Sequence, residues 1–388
     1  MKRIICITLM ITLIFSHCVC GTENKDEKQD KISAKSYVLM EASSGKIIKS
    51  QNETQKLSPA SITKIMTLIL IFDEIHSGKL KLSDVATTSA YAKSMGGSQV
   101  FLEEGEQQTV ETLIKCIIIA SGNDASVTMA EHISGSEEQF VKRMNKRAKK
   151  LKMNDTNFKD CCGLTDSDEH YTSAKDVAIM SRELITKYPE IFKYSTIWME
   201  PFTHKTDKGE KEFMLSNTNK LLKTNKYVKG LKTGSTSKAK YCVSTVATKD
   251  NVTMIAVIMA ASDYKTRFQI AEQLIKYGFS NCKVYKDNND KKISINILNG
   301  EKEKMSVKND GFSYVDTNNK DLSKVSKKVF FNKKITAPVD KGQVVGNVKY
   351  YIGSKMIGES KIRAVEKVEK ANYRFTFLKM LKAFVQLT

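Results

Sequence analysis

The chain is poor in cysteine and histidine, and neither residue forms a metal pattern. After residue 20 the cysteines are Cys116, Cys161, Cys162, Cys242 and Cys282, an odd number at irregular spacings. They do not make a disulfide framework, and no C-x-x-C pair points to zinc. Of histidines, His76, His132, His170 and His204 follow residue 20, with no H-E-x-x-H run, which argues against a histidine–zinc hydrolase. No metal or cofactor is therefore expected. Zinc-finger spacing, an RNA-recognition motif and a basic stripe interleaved with aromatics are also missing, so nucleic acid is not an expected partner.

Acidic residues are too few to balance the basic ones. The formal charge is +20 and the pI about 9.4, which favours anionic surroundings such as lipid head groups or wall polymers. Residues 1–20 carry Lys2 and Arg3, an apolar run from Ile4 to Phe15, and small residues before Gly21. That order is expected of a secretory signal peptide, and the run is short for a membrane span. Residues 21–32 are charged, nearly free of apolar side chains, and read as a linker. An exported chain without a cysteine scaffold suits a bacterial cell envelope.

At 388 residues the chain is long enough for two folded units. Residues 33–282 alternate helical and strand patterns. A hairpin is expected over Tyr37–Met40 and Lys46–Ile48, and a buried helix from Pro59 towards Gly78. Further helices are expected over about 109–120, 125–132, 137–151, 174–187 and 268–277. Residues 195–226 read as extended chain and loops, and Tyr227–Leu231, Tyr241–Ala247 and Val252–Ala260 as strands of an antiparallel sheet. The fold class is α+β, an antiparallel sheet flanked by helices. Residues 283–366 change to short alternating segments with turns at Asn299-Gly300, Asp310-Gly311 and Gly342, which predicts a small all-β domain. Residues 367–388 form an amphipathic helix pattern. Asn372, Thr376, Lys379, Lys382 and Gln386 take one side, and Tyr373, Phe377, Leu378, Met380, Leu381, Phe384 and Val385 the other. Such a helix is expected to lie on a membrane surface.

Chemistry concentrates in three short segments. In Ser58-Pro59-Ala60-Ser61-Ile62-Thr63-Lys64, Ser58 is expected to cap a helix that Pro59 opens, placing Ser61 and Lys64 one turn apart. Ser61 is the candidate nucleophile and Lys64 its base. A free lysine is neutral at pH 7 in only about one molecule in 2,500, a cost of roughly 4.6 kcal/mol. Burial beside a second cation would reduce it. Ser-x-x-Lys spacing also occurs at Ser43, Ser235, Ser237, Ser262 and Ser280, so the motif carries little weight alone. Ser121-Gly122-Asn123 lies on a short loop between two helical patterns, where a hydroxyl and a carboxamide can enter a cleft. Lys232-Thr233-Gly234 continues a strand and combines a cation, a hydroxyl and an open edge suited to an extended peptide ending in a carboxylate.

The three motifs, in this order, resemble those of penicillin-binding proteins and class A β-lactamases. The text around Ser61, the run Cys162-Gly163-Leu164 leading to His170-Tyr171-Thr172, Asn217-Thr218-Asn219-Lys220-Leu221-Leu222, and Arg267 are similar to serine-type D-alanyl-D-alanine carboxypeptidases, the low-molecular-mass penicillin-binding proteins of peptidase family S11. The resemblance implies a β-lactamase/transpeptidase-like catalytic domain and a peptidoglycan stem peptide ending in D-Ala-D-Ala as substrate. It also implies β-lactam antibiotics as covalent inhibitors.

By the same resemblance, Ser61 attacks, Lys64 takes its proton, Ser121 relays a proton to the leaving amine and Asn123 holds the substrate amide. Lys232 is the second cation, and Thr233 and Arg267 recognise the terminal carboxylate. Gly234 opens the strand edge, and the N–H groups of Ser61 and Ser235 form the oxyanion hole. Ala239-Lys240-Tyr241 departs from the Ala-Gly-Tyr of many relatives, and the vicinal Cys161-Cys162 pair is unusual. A β-lactamase shares the motifs but needs a carboxylate to activate its deacylating water, and no Glu-x-x-Leu-Asn pattern lies between the second and third. A catalytically silent penicillin-binding scaffold is the other alternative. The expected location is the outer face of the bacterial cytoplasmic membrane.

Overall fold

The computed structural model describes residues 33–385 apart from 208, 289–291, 318–320 and 333. The expected signal peptide and linker, residues 1–20 and 21–32, lie outside the described residues.

The strands of the first domain are β1 (Ala34–Glu41), β2 (Ile47–Gln51), β3 (Val85–Thr87), β4 (Gln107–Thr109), β5 (Met199–Thr206), β6 (Gly209–Ser216), β7 (Val228–Thr236), β8 (Lys240–Lys249) and β9 (Val252–Ala261). Five of them form an antiparallel sheet in the order β2-β1-β9-β8-β7. The middle strands β8 and β9 are apolar on both faces because helices cover them: Val243, Val246, Ile255, Val257 and Ile258 have no exposed surface. The helix Tyr264–Asn281 packs on β8 and β9. The helix Ala174–Lys187 packs on β1 and β9 from another side and meets the helix Lys64–His76. Burial of Lys64 through Phe72 on every side explains why that helix shows no amphipathic stripe.

One local expectation is corrected and another is made more specific. Ser58 does not cap the helix; a 3₁₀ turn, Ala60–Thr63, precedes it, with Pro59 at its N-terminal position, no side-chain cap and Ala60 at φ +47°. Within residues 195–226, β5 and β6 form a full hairpin, from Met199 opposite Ser216 to Thr206 opposite Gly209. Its charged outer positions obscure the strand period, and its apolar positions Phe202 and Leu215 are buried.

The second domain contains β10 (Lys283–Asp287), β11 (Ile293–Asn296), β12 (Lys304–Asn309), β13 (Phe312–Asp316), β14 (Val325–Phe331), β15 (Val344–Ile352) and β16 (Lys355–Ala364). β10 pairs with β13, and the others form an antiparallel sheet in the order β11-β12-β16-β15-β14. Tyr350 fills its core, stacked on Phe312 with ring centroids 4.1 Å apart. The last helix, Tyr373–Val385, starts later than its sequence pattern, because Val368 is buried and bridged to Val339. Phe375, off the apolar side in the sequence pattern, lies against the second domain in a hollow shared with Ile297 and Gly300, and Lys379 pairs with Glu303 at 2.7 Å.

Candidate active site

Side chains three residues apart eclipse one another in a 3₁₀ turn. That geometry brings the Lys64 Nζ to 3.1 Å from the Ser61 Oγ. Lys64 has no exposed surface, while Ser61 is partly open. The amine also donates to the Asn123 Oδ1 at 2.6 Å and the Cys162 carbonyl at 2.8 Å. Three acceptors therefore surround one nitrogen. As a neutral amine it keeps the bonds to Asn123 and Cys162 and turns its lone pair to the Ser61 hydroxyl. Burial lowers the Lys64 pKa, opposed by the nearby carboxylates of Asp160 and Asp124. Burial holds the Cys161 thiol protonated, its pKa well above the ordinary value.

β7 is the edge of its sheet and lies against the Ser61 turn. Contact is possible because of Gly234: a Cβ there would lie 2.7 Å from the Pro59 carbonyl oxygen and 3.1 Å from the Ser61 nitrogen. Lys232, on the same strand, is fully buried and donates to the Thr233 carbonyl at 3.2 Å. Burial, then the charges of Lys64 and Arg267, hold its pKa well below the ordinary lysine value. Lys64 is itself lowered in pKa chiefly by its own burial.

The second motif is a bend between the helices Val110–Ile118 and Asn123–Ser134. Ser121 sits at φ +65°, is nearly buried, and has no hydrogen-bond partner for its hydroxyl among the described residues. Asn123 contacts Lys64 directly. Its Oδ1 holds Lys64, and its Nδ2 donates to the Gly96 carbonyl at 2.7 Å. Each end of the carboxamide keeps a second position, a lone pair on Oδ1 and a proton on Nδ2, and Asn123 here also orients the lysine. The Arg267 Nη1 reaches the carbonyls of Gly234 and Cys242 at 3.2 and 3.3 Å. Its guanidinium lies over the rings of Phe268, Tyr264 and Tyr241 at 4.7, 5.0 and 5.7 Å. The Thr233 hydroxyl donates to the Thr218 Oγ1 at 2.7 Å. Ser235 follows Gly234 on β7 and is exposed.

Several contributors carry no motif of their own. The Asp160 carboxylate accepts the backbone N–H of Cys162 at 2.9 Å, Thr165 at 2.7 Å, and Gly163. This turn points the Cys162 carbonyl at Lys64. His170 is buried, accepts the Lys159 N–H on Nδ1 at 3.0 Å, and so carries its proton on Nε2, 2.9 Å from the Thr63 hydroxyl. Burial lowers the His170 pKa, in keeping with a neutral ring. The family-like text at Cys162-Gly163 and His170 marks these segments without marking their contacts. Ligand atoms of Glu137, Asp160 and Cys162 lie within 4.8 Å of one another. Both carboxylates, however, already hold backbone N–H groups, Glu137 that of Cys161 at 2.9 Å.

The chain is similar to known proteins over most of its length. A family profile described as D-alanyl-D-alanine carboxypeptidase, peptidase S11, matches residues 23–263, most of the chain. The chain belongs to the peptidase S11 family. A second profile, the C-terminal domain of penicillin-binding protein 5, matches residues 279–370 of this S11 chain. It is 40% identical over 386 residues to the D-alanyl-D-alanine carboxypeptidase DacF of Bacillus subtilis, covering 98% of this chain and 97% of the relative. The DacC carboxypeptidase of Escherichia coli is 32% identical, with 88% and 86% covered. Among solved structures, penicillin-binding protein 5 of Haemophilus influenzae superposes with a TM-score of 0.71 at 32% identity, covering 88% of this chain and 98% of that one.

Proposed function

We propose that this S11 chain is a serine-type D-Ala-D-Ala carboxypeptidase that removes the terminal D-alanine from peptidoglycan stem peptides through an acyl-enzyme on Ser61. The observation that carries the reading is the buried Lys64 amine, 3.1 Å from the Ser61 hydroxyl and held by two other acceptors. Lys64 takes the Ser61 proton as Oγ attacks the carbonyl carbon of the penultimate D-alanine. Lys232 is the second amine of the site, and a charge on either lysine disfavours a charge on the other. The unpartnered Ser121 hydroxyl relays the proton to the departing amine. The N–H groups of Ser61 and Ser235 face the oxyanion, where losing one donor costs about 10²- to 10³-fold. Thr233, with the charge of Arg267, receives the substrate carboxylate, Asn123 fixes the base, and water releases the shortened peptide.

β-Lactams are the expected covalent inhibitors. Penicillin-binding protein D2 of Listeria monocytogenes, 28% identical over 64% of this chain at a TM-score of 0.54, is solved in an ampicillin-bound form. The chain acts in the cell envelope, exported to the outer face of the cytoplasmic membrane. No helix among the described residues is long and apolar enough to cross a membrane. The helix Tyr373–Val385 instead rests on its surface, a reading supported by exposed Tyr373, Phe377, Leu378, Met380 and Leu381.

Labelling by a fluorescent penicillin tests the site. The wild type should be labelled, while Ser61→Ala is not and Lys64→Ala and Lys232→Ala are labelled at least about 10²-fold more slowly. Normal labelling of Ser61→Ala would overturn the mechanism. D-Alanine release from a D-Ala-D-Ala peptide identifies the carboxypeptidase; rapid turnover of a chromogenic cephalosporin would identify a β-lactamase, and neither activity a silent scaffold.

A further inference from the structure

Thr218 lies between two buried asparagines that fix its turn. Asn217 donates to the Ile197 and Ser195 carbonyls at 2.8 and 3.3 Å and accepts the Asn219 N–H at 2.9 Å. Asn219 accepts the Leu221 N–H at 3.2 Å and donates at 3.2 Å to the Thr245 hydroxyl, which donates to the Gly230 carbonyl at 2.8 Å. The turn is thereby tied to β8 and β7, and its middle residue alone is partly open. That residue accepts the Thr233 hydroxyl proton at 2.7 Å.

We infer that Thr218 is a positioning residue for the substrate carboxylate, acting by aiming the Thr233 hydroxyl. The inference rests on the carboxypeptidase reading and adds to it a specificity device outside the three motifs. The Arg267 Nη1 is engaged with strand carbonyls, and the Thr233 hydroxyl is a rotatable donor at this end of β7. A hydroxyl that donates to its neighbour has its lone pairs free and its proton turned away from an incoming anion. When a carboxylate arrives, the Thr233 O–H turns to it, and the Thr218 O–H turns to donate to the Thr233 Oγ1. The resulting chain runs in one direction, Thr218 to Thr233 to carboxylate, and each bond polarises the next. Valine at 218 conserves shape but leaves Thr233 with no donor behind it.

The test compares kcat/KM for a peptide ending in D-Ala-D-Ala with that for its C-terminal carboxamide, in the wild type, Thr218→Val and Thr218→Ser. The preference for the acid should fall about tenfold in Thr218→Val, mainly through KM for the acid, and return in Thr218→Ser. An unchanged preference in Thr218→Val overturns the inference, as does an equal loss on both peptides, which is what a merely structural role would produce. If Thr218→Val does not fold, Thr218→Ala carries the same comparison. A wild type that releases no D-alanine refutes instead the carboxypeptidase reading.

Discussion

Gly163 faces Ala60 so closely that a Cβ on the glycine would lie 1.8 Å from the Ala60 carbonyl oxygen. The two residues belong to separate parts of the site: Ala60 begins the turn that carries Ser61, and Gly163 follows the carbonyl that holds Lys64. Their contact ties the supports of Ser61 and Lys64 together, and both residues have positive φ, +47° and +81°.

Gly163→Ala should therefore damage stability and chemistry together. A left-handed conformation costs an alanine about 1–2 kcal/mol, and forced repacking adds about 1–3 kcal/mol. Urea unfolding should show a loss of about 2–5 kcal/mol, and the folded fraction should react slowly with fluorescent penicillin. A variant as stable and as reactive as the wild type would contradict this role for the contact.

Asn123→Asp tests whether residue 123 tunes the base. It would put a carboxylate where the amide oxygen now lies, 2.6 Å from the Lys64 nitrogen. The lysine pKa, lowered by burial in the wild type, should rise again. Acylation, which needs neutral Lys64, should fall by about 10²-fold at neutral pH, and the rising limb of its pH profile should move to higher pH. A profile that falls in height without moving would assign Asn123 to substrate contact instead.

His170 predicts a pH dependence of stability. Its folded pKa is below the ordinary value of 6.5, so the unfolded chain binds the proton more readily. Stability from this group is complete above that ordinary value and is lost as pH falls towards the folded pKa, with a slope of at most about 1.4 kcal/mol per pH unit. Denaturant midpoints of wild type and His170→Gln, compared at neutral and mildly acidic pH, should converge on acidification. Parallel curves would show that another group is responsible.

Removing the chain after Asn372, which leaves the buried Val368 in place, tests the last helix. The truncated protein should keep penicillin labelling, because no residue placed at the site lies beyond that point, and should lose sedimentation with anionic lipid vesicles. Unchanged sedimentation would place membrane affinity elsewhere.

The sequence by itself determined the candidate reacting groups and most of the local structure. An all-round apolar run after Lys64 meant a buried helix, and a hydroxyl, a carboxamide and a cation in three ordered motifs carried the resemblance from which the acyl chemistry is proposed. These features are legible because side-chain type and short-range period are written directly in the residues. What only the tertiary structure decided is who holds whom: Asn123 and the Cys162 carbonyl on Lys64, Gly163 against Ala60, Thr218 behind Thr233. A main-chain carbonyl is the same in every residue and leaves no mark in a sequence, and hydroxyl partners from different segments meet only when packing closes the loop between them.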